Sequence, residues 1–187
     1  MPHNYSKAPD DKIIDMVVEG NIQAYGELYN RYLNEIYRFI YYRVASNHLE
    51  AEDITQEVFI RSWDVITKNK PMGKRKRNFR ALVYRIAHNL TVDRWRTRKP
   101  ELLLKEENVE SLTDLASTPE QIMLMKEESQ DLAAAIRELK PRLQNVFICR
   151  FINGLSHAET AQSLGLKEGH VRVLQHRALE EIRVIIK

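Results

Sequence analysis

The chain has 187 residues, 43% of them apolar and 29% charged, which is ordinary globular composition with room for one medium domain or two small ones. It excludes global disorder, and no run approaches the roughly 18 uncharged apolar residues of a membrane span. The net charge of +3 hides an alternation: −5 over residues 1–60, +11 over 61–100, −7 over 101–131 and +4 over 132–187. A block with thirteen basic residues against two acidic ones is either a solvated face or an electrostatic footprint for nucleic acid. The start, Met1-Pro2-His3-Asn4-Tyr5, has no basic stretch leading into an apolar run, so no secretory signal is visible. A single cysteine, Cys149, leaves no disulfide framework and fits a reducing cytoplasm. Few glycines and prolines, and no turn dipeptides between alternating strands, predict an all-α chain.

In chain order, the pattern predicts a short helix from Asp10 to Val18 that ends at Gly20. A second runs from Asn21 to Val44 with Ala24, Leu28, Ile36, Phe39 and Ile40 on its apolar side. Asn47 caps a third helix, from His48 to about Thr67. At 100° per residue Ala51, Ile54, Val58 and Val65 share one face. Glu50, Asp53 and Glu57 form the stripe beside it, and Phe59, Trp63 and Ile66 a second apolar patch. Such a helix either packs on two sides or offers a docking surface to a partner protein.

Residues 69–77, NKPMGKRKR, break the periodicity and read as an exposed basic loop. A fourth helix follows, from Asn78 to about Arg98, with Phe79, Leu82, Val83, Ile86 and Leu90 as its core stripe. Arg80, Tyr84, His88, Trp95 and Arg98 fall opposite, flanked by Arg85, Asn89 and Arg96. Rings between arginines suit single-stranded nucleic acid: bases stack on the rings at about 1–3 kcal/mol each while guanidinium groups hold phosphates. The same rings also suit packing against another helix. Residues 99–117 are acidic and weakly periodic, a predicted linker. Ser117-Thr118-Pro119-Glu120 starts a helix toward Leu139.

Pro141 opens the next helix, through Leu143, Val146, Phe147 and Phe151, closed by Asn153-Gly154. Ser156-His157-Ala158-Glu159 is a capping box. A short helix reaches Leu164 and stops at Gly165, and a last helix begins near Glu168. The Gly169 in its first turn costs about 1 kcal/mol inside a helix, which favours a start one turn later. Ala161, Gly165, Val171 and Leu174 have helix-turn-helix spacing: a small residue at the crossing, a glycine for the left-handed turn, then aliphatic fillers. Val171, Leu174, Ala178 and Ile182 face inward. Arg172, Val173 and His176 lie opposite, with His170, Gln175 and Arg177 at the edges, a set suited to the major groove.

Three segments in order resemble the extracytoplasmic-function (ECF) class of bacterial RNA polymerase sigma factors. His48-Leu49-Glu50-Ala51-Glu52-Asp53-Ile54-Thr55-Gln56-Glu57-Val58-Phe59 is similar to the family's core-polymerase-binding helix. The run Phe79 to Leu90, with Val92-Asp93-Arg94, is similar to its −10 promoter segment. The stretch from Leu139-Lys140-Pro141-Arg142 through Gly154-Leu155-Ser156 to Arg177-Ala178-Leu179 is similar to its −35-binding domain. The resemblance spans about 130 of the 187 residues, with no insertion where larger sigma factors carry a middle domain.

It implies two helical domains, a region 2-like one over 10–98 and a region 4-like helix-turn-helix one over 118–187, joined by the acidic linker 99–117. Glu50, Asp53, Gln56, Glu57 and Phe59 would dock on core RNA polymerase. Lys74, Arg75, Arg77, Arg80, Tyr84, Arg85, His88, Asn89, Trp95 and Arg96 would engage the −10 element and hold an unstacked base, although the unusually basic Lys74–Arg77 run leaves the base-pocket residues of that loop open. Lys167, His170, Arg172, Val173, Gln175, His176 and Arg177 would contact the −35 duplex. The linker would thread near the polymerase active-site channel. The implied partners are polymerase, promoter DNA as duplex and as single strand, and an inhibitory anti-sigma factor. No cofactor, metal or membrane insertion is implied, and the setting is the cytoplasm.

Enzyme chemistry finds no support. His157-x-Glu159 with Cys149 lacks the P-C-x-x-C partner of zinc deaminases, no phosphate loop is present, the histidines are scattered, and Asp10, Asp11 and Asp15 have no acid–base partners. The alternatives are a helix-turn-helix regulator that binds duplex DNA without joining a polymerase, and a module whose basic block binds RNA. The alternating charge blocks also predict a free chain that hides its DNA faces against each other, or against an inhibitor, and so binds duplex weakly. Two lobes on a linker would exceed the roughly 16 Å radius of gyration of one compact body of this length unless clamped.

Overall fold

The computed structural model describes residues 5–44, 47–68, 78–97 and 131–186. The basic residues Lys74, Arg75 and Arg77, the Trp95 side chain, the 99–117 linker and the helix start at Ser117 lie outside the described residues. Among the described residues every regular element is helical. None of these helices is long and apolar enough to cross a membrane.

Helices α1 (Asp10–Val18), α2 (Ile22–Arg43), α3 (His48–Lys68) and α4 (Phe79–Thr97) form the N-terminal lobe. Their ends follow local chemistry. Gly20, at φ +100°, takes the chain out of α1, where a side chain would be strained. Asn21 caps α2 by accepting from the Ala24 N–H at 3.1 Å. Asn47 does the same for the Glu50 N–H at 3.0 Å, satisfying donors that no helical carbonyl reaches. The helices meet around Ile13, Val17, Leu28, Ile36, Phe39, Ile40, Ile54, Val58, Phe79 and Val83. Each fully buried aliphatic or aromatic side chain contributes about 1.5–3 kcal/mol of transfer free energy. Arg31 ties the start of the chain to α2, donating from Nη1 to the Ala8 carbonyl at 2.8 Å and to Asp10 at 2.9 Å, and from Nη2 to the Tyr5 carbonyl at 2.7 Å.

The predicted core stripe of α4 is rotated in the structure. Phe79, Val83 and Leu90 are buried, but Leu82 and Ile86 are only half-buried, and Ala81, Tyr84 and Ala87 take the interior places. The reason is a second neighbour: α4 packs against α2 and α3 and also against the C-terminal lobe.

That lobe holds α5 (described over 131–138), α6 (Pro141–Phe147), a π-helical turn (Ile148–Ile152), α7 (His157–Leu164) and α8 (Glu168–Ile185). Pro141 suits the first turn of α6, where its missing N–H costs nothing. The predicted single helix through Phe151 instead widens into the π turn, closed by the Asn153 N–H on the Ile148 carbonyl at 3.0 Å. The extra residue per turn re-aims the side chains that follow. Ser156 and Glu159 close the capping box in both directions, at 3.2 and 2.8 Å. Gly165 sits at φ +66°, the left-handed turn between α7 and α8. Helix α8 begins at Glu168 and includes Gly169; the delayed start expected from that glycine does not occur. Val171, Leu174, Ala178 and Ile182 are buried as the spacing requires. A hydrophobic cluster continues from the N-terminal lobe into Ile136, Leu143, Val146, Ile148, Cys149 and Leu155.

Candidate functional site

Three surfaces carry the residues singled out in the sequence. On α3, Asp53 and Gln56 are exposed and Glu50 and Glu57 half-exposed, held outward because Ala51, Ile54, Thr55 and Val58 face the core. Glu57 accepts from Arg61 Nε at 2.6 Å, an i,i+4 pair. Phe59 is a correction. Its ring is only 3% exposed and packs edge-on against Tyr29 at 4.7 Å. It therefore supports this face from beneath rather than projecting from it. The apolar groups actually presented are Leu49 and Ile60, 69% and 60% exposed. Ile60 was legible: with Asp53, Gln56 and Glu57 it completes an i, i+3, i+4, i+7 stripe.

On α4, Arg85, Asn89 and Arg96 are exposed. Tyr84 is the second correction: expected on the open side, it is fully buried. Its ring packs edge-on against Phe39 at 5.3 Å, and its hydroxyl accepts from Asn153 Nδ2 at 2.6 Å. Burial, opposed by that hydrogen bond, drives the phenol pKa far above its ordinary value. Arg80 is also engaged. It meets Glu35 and Glu159 at 3.0 Å each and donates to the Asn153 carbonyl at 3.3 Å. Burial works against its charge, but Glu35, Tyr84 and Glu159 outweigh that and raise its pKa. His88 is half-buried, 3.4 Å from Asn145 Nδ2. Desolvation and then the Arg43 charge pull its imidazole down to about 4, so it is neutral at pH 7.

On α8, Lys167, His170, Arg172, Val173, His176 and Arg177 are exposed together. Arg172 pairs with Glu168 at 2.8 Å and His176 with Glu180 at 3.3 Å. These exposed i,i+4 pairs hold little energy and yield readily to a better acceptor. Gln175 differs: it is half-buried, and its carbonyl oxygen accepts from Arg150 Nε at 2.8 Å, which leaves its amide NH2 to donate. Among the described residues no group of three or more His, Cys, Asp and Glu side chains is placed to hold a metal. Cys149 is fully buried, and burial pushes its thiol up to about 12, which makes it an inert core group.

The fold and these surfaces define a protein of the sigma-70 type. The family pattern described as Sigma-70 region 2 matches residues 28–101, and that described as Sigma-70, region 4 matches residues 135–184. The chain is 33% identical over 180 residues to the ECF RNA polymerase sigma factor SigW of Bacillus subtilis, covering 92% of this chain and 94% of SigW. It is 33% identical over 171 residues to the ECF RNA polymerase sigma factor BldN of Streptomyces coelicolor, covering 91% of this chain but only 63% of that relative's length. In fold it is similar to CnrH, solved in complex with the cytosolic domain of CnrY, with a TM-score of 0.72 and 21% identity over 95% of this chain and 96% of that one. It is also similar to the sigma factor RpoE of Bartonella quintana, solved with the anti-sigma factor NepR, with a TM-score of 0.66 and 18% identity over 88% of this chain and 98% of that one. The chain belongs to the ECF sigma factor family.

Proposed function

We propose that this chain is a promoter-recognition subunit that joins core RNA polymerase, reads −35 and −10 elements and opens the duplex at the latter. The observation that carries the reading is the pairing, on one chain, of two different nucleic-acid chemistries. Helix α8 presents Arg172, Val173, His176 and Arg177 on an exposed face backed by a rigid aliphatic seam. Helix α4 exposes Arg85, Asn89 and Arg96, side chains suited to a separated strand, and carries Arg80, Tyr84 and His88 where the C-terminal lobe engages them. A duplex-only regulator needs no second surface of that kind.

In this reading the working units are 10–98 and 118–187, with 99–117 between them. The α3 stripe of Glu50, Asp53, Gln56 and Glu57, joined by Ile60, docks on the polymerase. Lys74, Arg75, Arg77 and the Trp95 side chain, outside the described residues, are assigned to the same −10 contact as α4. Lys167, His170 and Gln175 complete the duplex-reading helix. The chemistry is binding and strand capture, with polymerase supplying catalysis, so the chain acts in the cytoplasm without a cofactor. An anti-sigma factor is the partner that would hold it inactive; RpoE, similar in fold, was solved in complex with the anti-sigma factor NepR. The test is reconstitution. Adding the chain to purified core polymerase is expected to produce transcripts starting from defined promoters on genomic template. Transcription unchanged by its addition defeats the proposal.

A further inference from the structure

The side chains that α8 presents are not equally free. Arg172 and His176 pair with Glu168 and Glu180 of the same helix, and all four are exposed. Such pairs exchange readily for a base or a phosphate. Gln175 is held from another element. Arg150, in the π turn, donates from Nε to Gln175 Oε1 at 2.8 Å and from Nη1 to the Leu155 carbonyl. Arg150 and Gln175 are half-buried, and Leu155 is buried. One guanidinium thus ties the turn before α7 to the helix that reads the duplex, and its planar fork fixes the direction of the groups it meets.

The tie decides which end of the amide faces Arg150. A guanidinium offers only donors, so it takes the oxygen of Gln175 and not its NH2. Glutamine reads adenine with both ends side by side, the oxygen accepting from N6 and the NH2 donating to N7. With its oxygen turned to Arg150, Gln175 cannot set that fork. What remains for a base is the pair of N–H donors. Guanine answers them with two acceptors, N7 and O6, and no donor on its major-groove edge. The N6 amine of adenine and the N4 amine of cytosine meet them donor to donor.

We infer that Arg150 is a positioning residue that makes Gln175 a donor-only reader, so that α8 selects guanine over adenine at the base pair Gln175 meets. The inference rests on the proposed duplex-reading role of α8 and adds a specificity determinant to it. Arg150 acts from behind the helix, through the amide, and makes no contact with DNA.

The test reads base preference in two arms. In one, the full-length chain with core polymerase transcribes a template pool with randomised −35 base pairs, and the transcripts are sequenced. In the other, the full-length chain alone selects from a pool of randomised duplexes. The variants are Gln175→Glu, Arg150→Met and Arg150→Lys. Glutamate keeps the bond to Arg150 as an ion pair and replaces the NH2 by a second acceptor, so the fold holds while the chemistry toward the base inverts. The position whose preference moves in Gln175→Glu is the one Gln175 reads. There wild type is expected to favour guanine over adenine about tenfold, and Gln175→Glu to favour cytosine. Arg150→Met frees the amide, and the ratio of guanine to adenine is expected to fall to parity. Arg150→Lys keeps a cation for Oε1 and is expected to retain the ratio. A purely structural role for Arg150 lowers binding to all sequences alike and leaves that ratio in place. An unchanged profile in Gln175→Glu overturns the inference, and so does a wild-type preference for adenine at the Gln175 position. A folded Arg150→Met, checked by circular dichroism, with the wild-type profile overturns it too. Should Arg150→Met not fold, the wild-type and Gln175→Glu profiles decide without it. Failure of the sigma reading is separate: the free chain then enriches duplexes while no variant yields promoter-dependent transcripts. Enrichment of no sequence in either arm overturns both.

Discussion

His88 reports the state of the contact between the lobes. Its imidazole is held from an ordinary 6.5 down to about 4, first by burial and then by Arg43. A group whose pKa is depressed when buried takes up a proton on exposure, so acid favours the open form. As pH falls from 6.5 toward 4 the lobes are expected to separate, seen as a rising radius of gyration, and His88→Gln to flatten that profile. Glu159 works in the same direction but less. Its carboxyl is held low chiefly by Ser156, with Arg80 contributing after that. The Ser156 bond survives opening because both residues belong to α7 and its cap. Phe59 and Ile60 separate structure from docking at adjacent positions. Phe59→Ala empties a core site and is expected to cost about 3–5 kcal/mol in chemical denaturation. Ile60→Asp is expected to leave the denaturation midpoint unchanged and reduce co-purification with core polymerase.

The helix-turn-helix depends on a few backbone positions. Gly165 holds φ +66° with open space where a Cβ would stand. Gly165→Ala therefore meets no steric clash and is expected to cost only the left-handed backbone penalty, about 1–2 kcal/mol, measured by denaturation of the full chain. Asparagine at the same position recovers part of it, since its side chain tolerates that region. On α8, Arg172→Ala is expected to weaken binding to a mapped promoter duplex by about 1–3 kcal/mol if the guanidinium reads a guanine. Loss of the exposed Glu168 pair contributes little to that difference. These elements were readable in advance because their signals are local. Asn47, the Ser156–Glu159 box, Gly165 and the Val171-Leu174-Ala178-Ile182 spacing each act within a turn or two of their own position. The π turn at Ile148–Ile152 carried no such signal, because an apolar run in that register fits an α-helix equally well.

At the scale of the molecule, the two lobes share a hydrophobic cluster and a set of hydrogen bonds and ion pairs. The predicted mutual covering of the DNA faces is realised on one side only. Helix α4 is covered chiefly by α7, while the outer face of α8 is exposed. Weak duplex binding by the free chain therefore does not follow from this contact.

The helical class, the caps at Asn47 and Ser156, the helix-turn-helix and the inward faces of α2 and α8 came from the sequence alone, since periodicity and capping act between residues a few positions apart; on α3 the predicted Val65 is only half-buried and Ser62 and Ile66 take the inward places. The depth of Tyr84 and Phe59, the rotated core stripe of α4 and the occupation of Arg80 were decided by tertiary structure. A helix with two apolar or amphipathic flanks does not state which neighbour will cover each. Tyr29 covers Phe59 and Phe39 packs on Tyr84, while Asn153 and Glu159, some seventy to eighty residues along the chain, engage the polar ends of Tyr84 and Arg80.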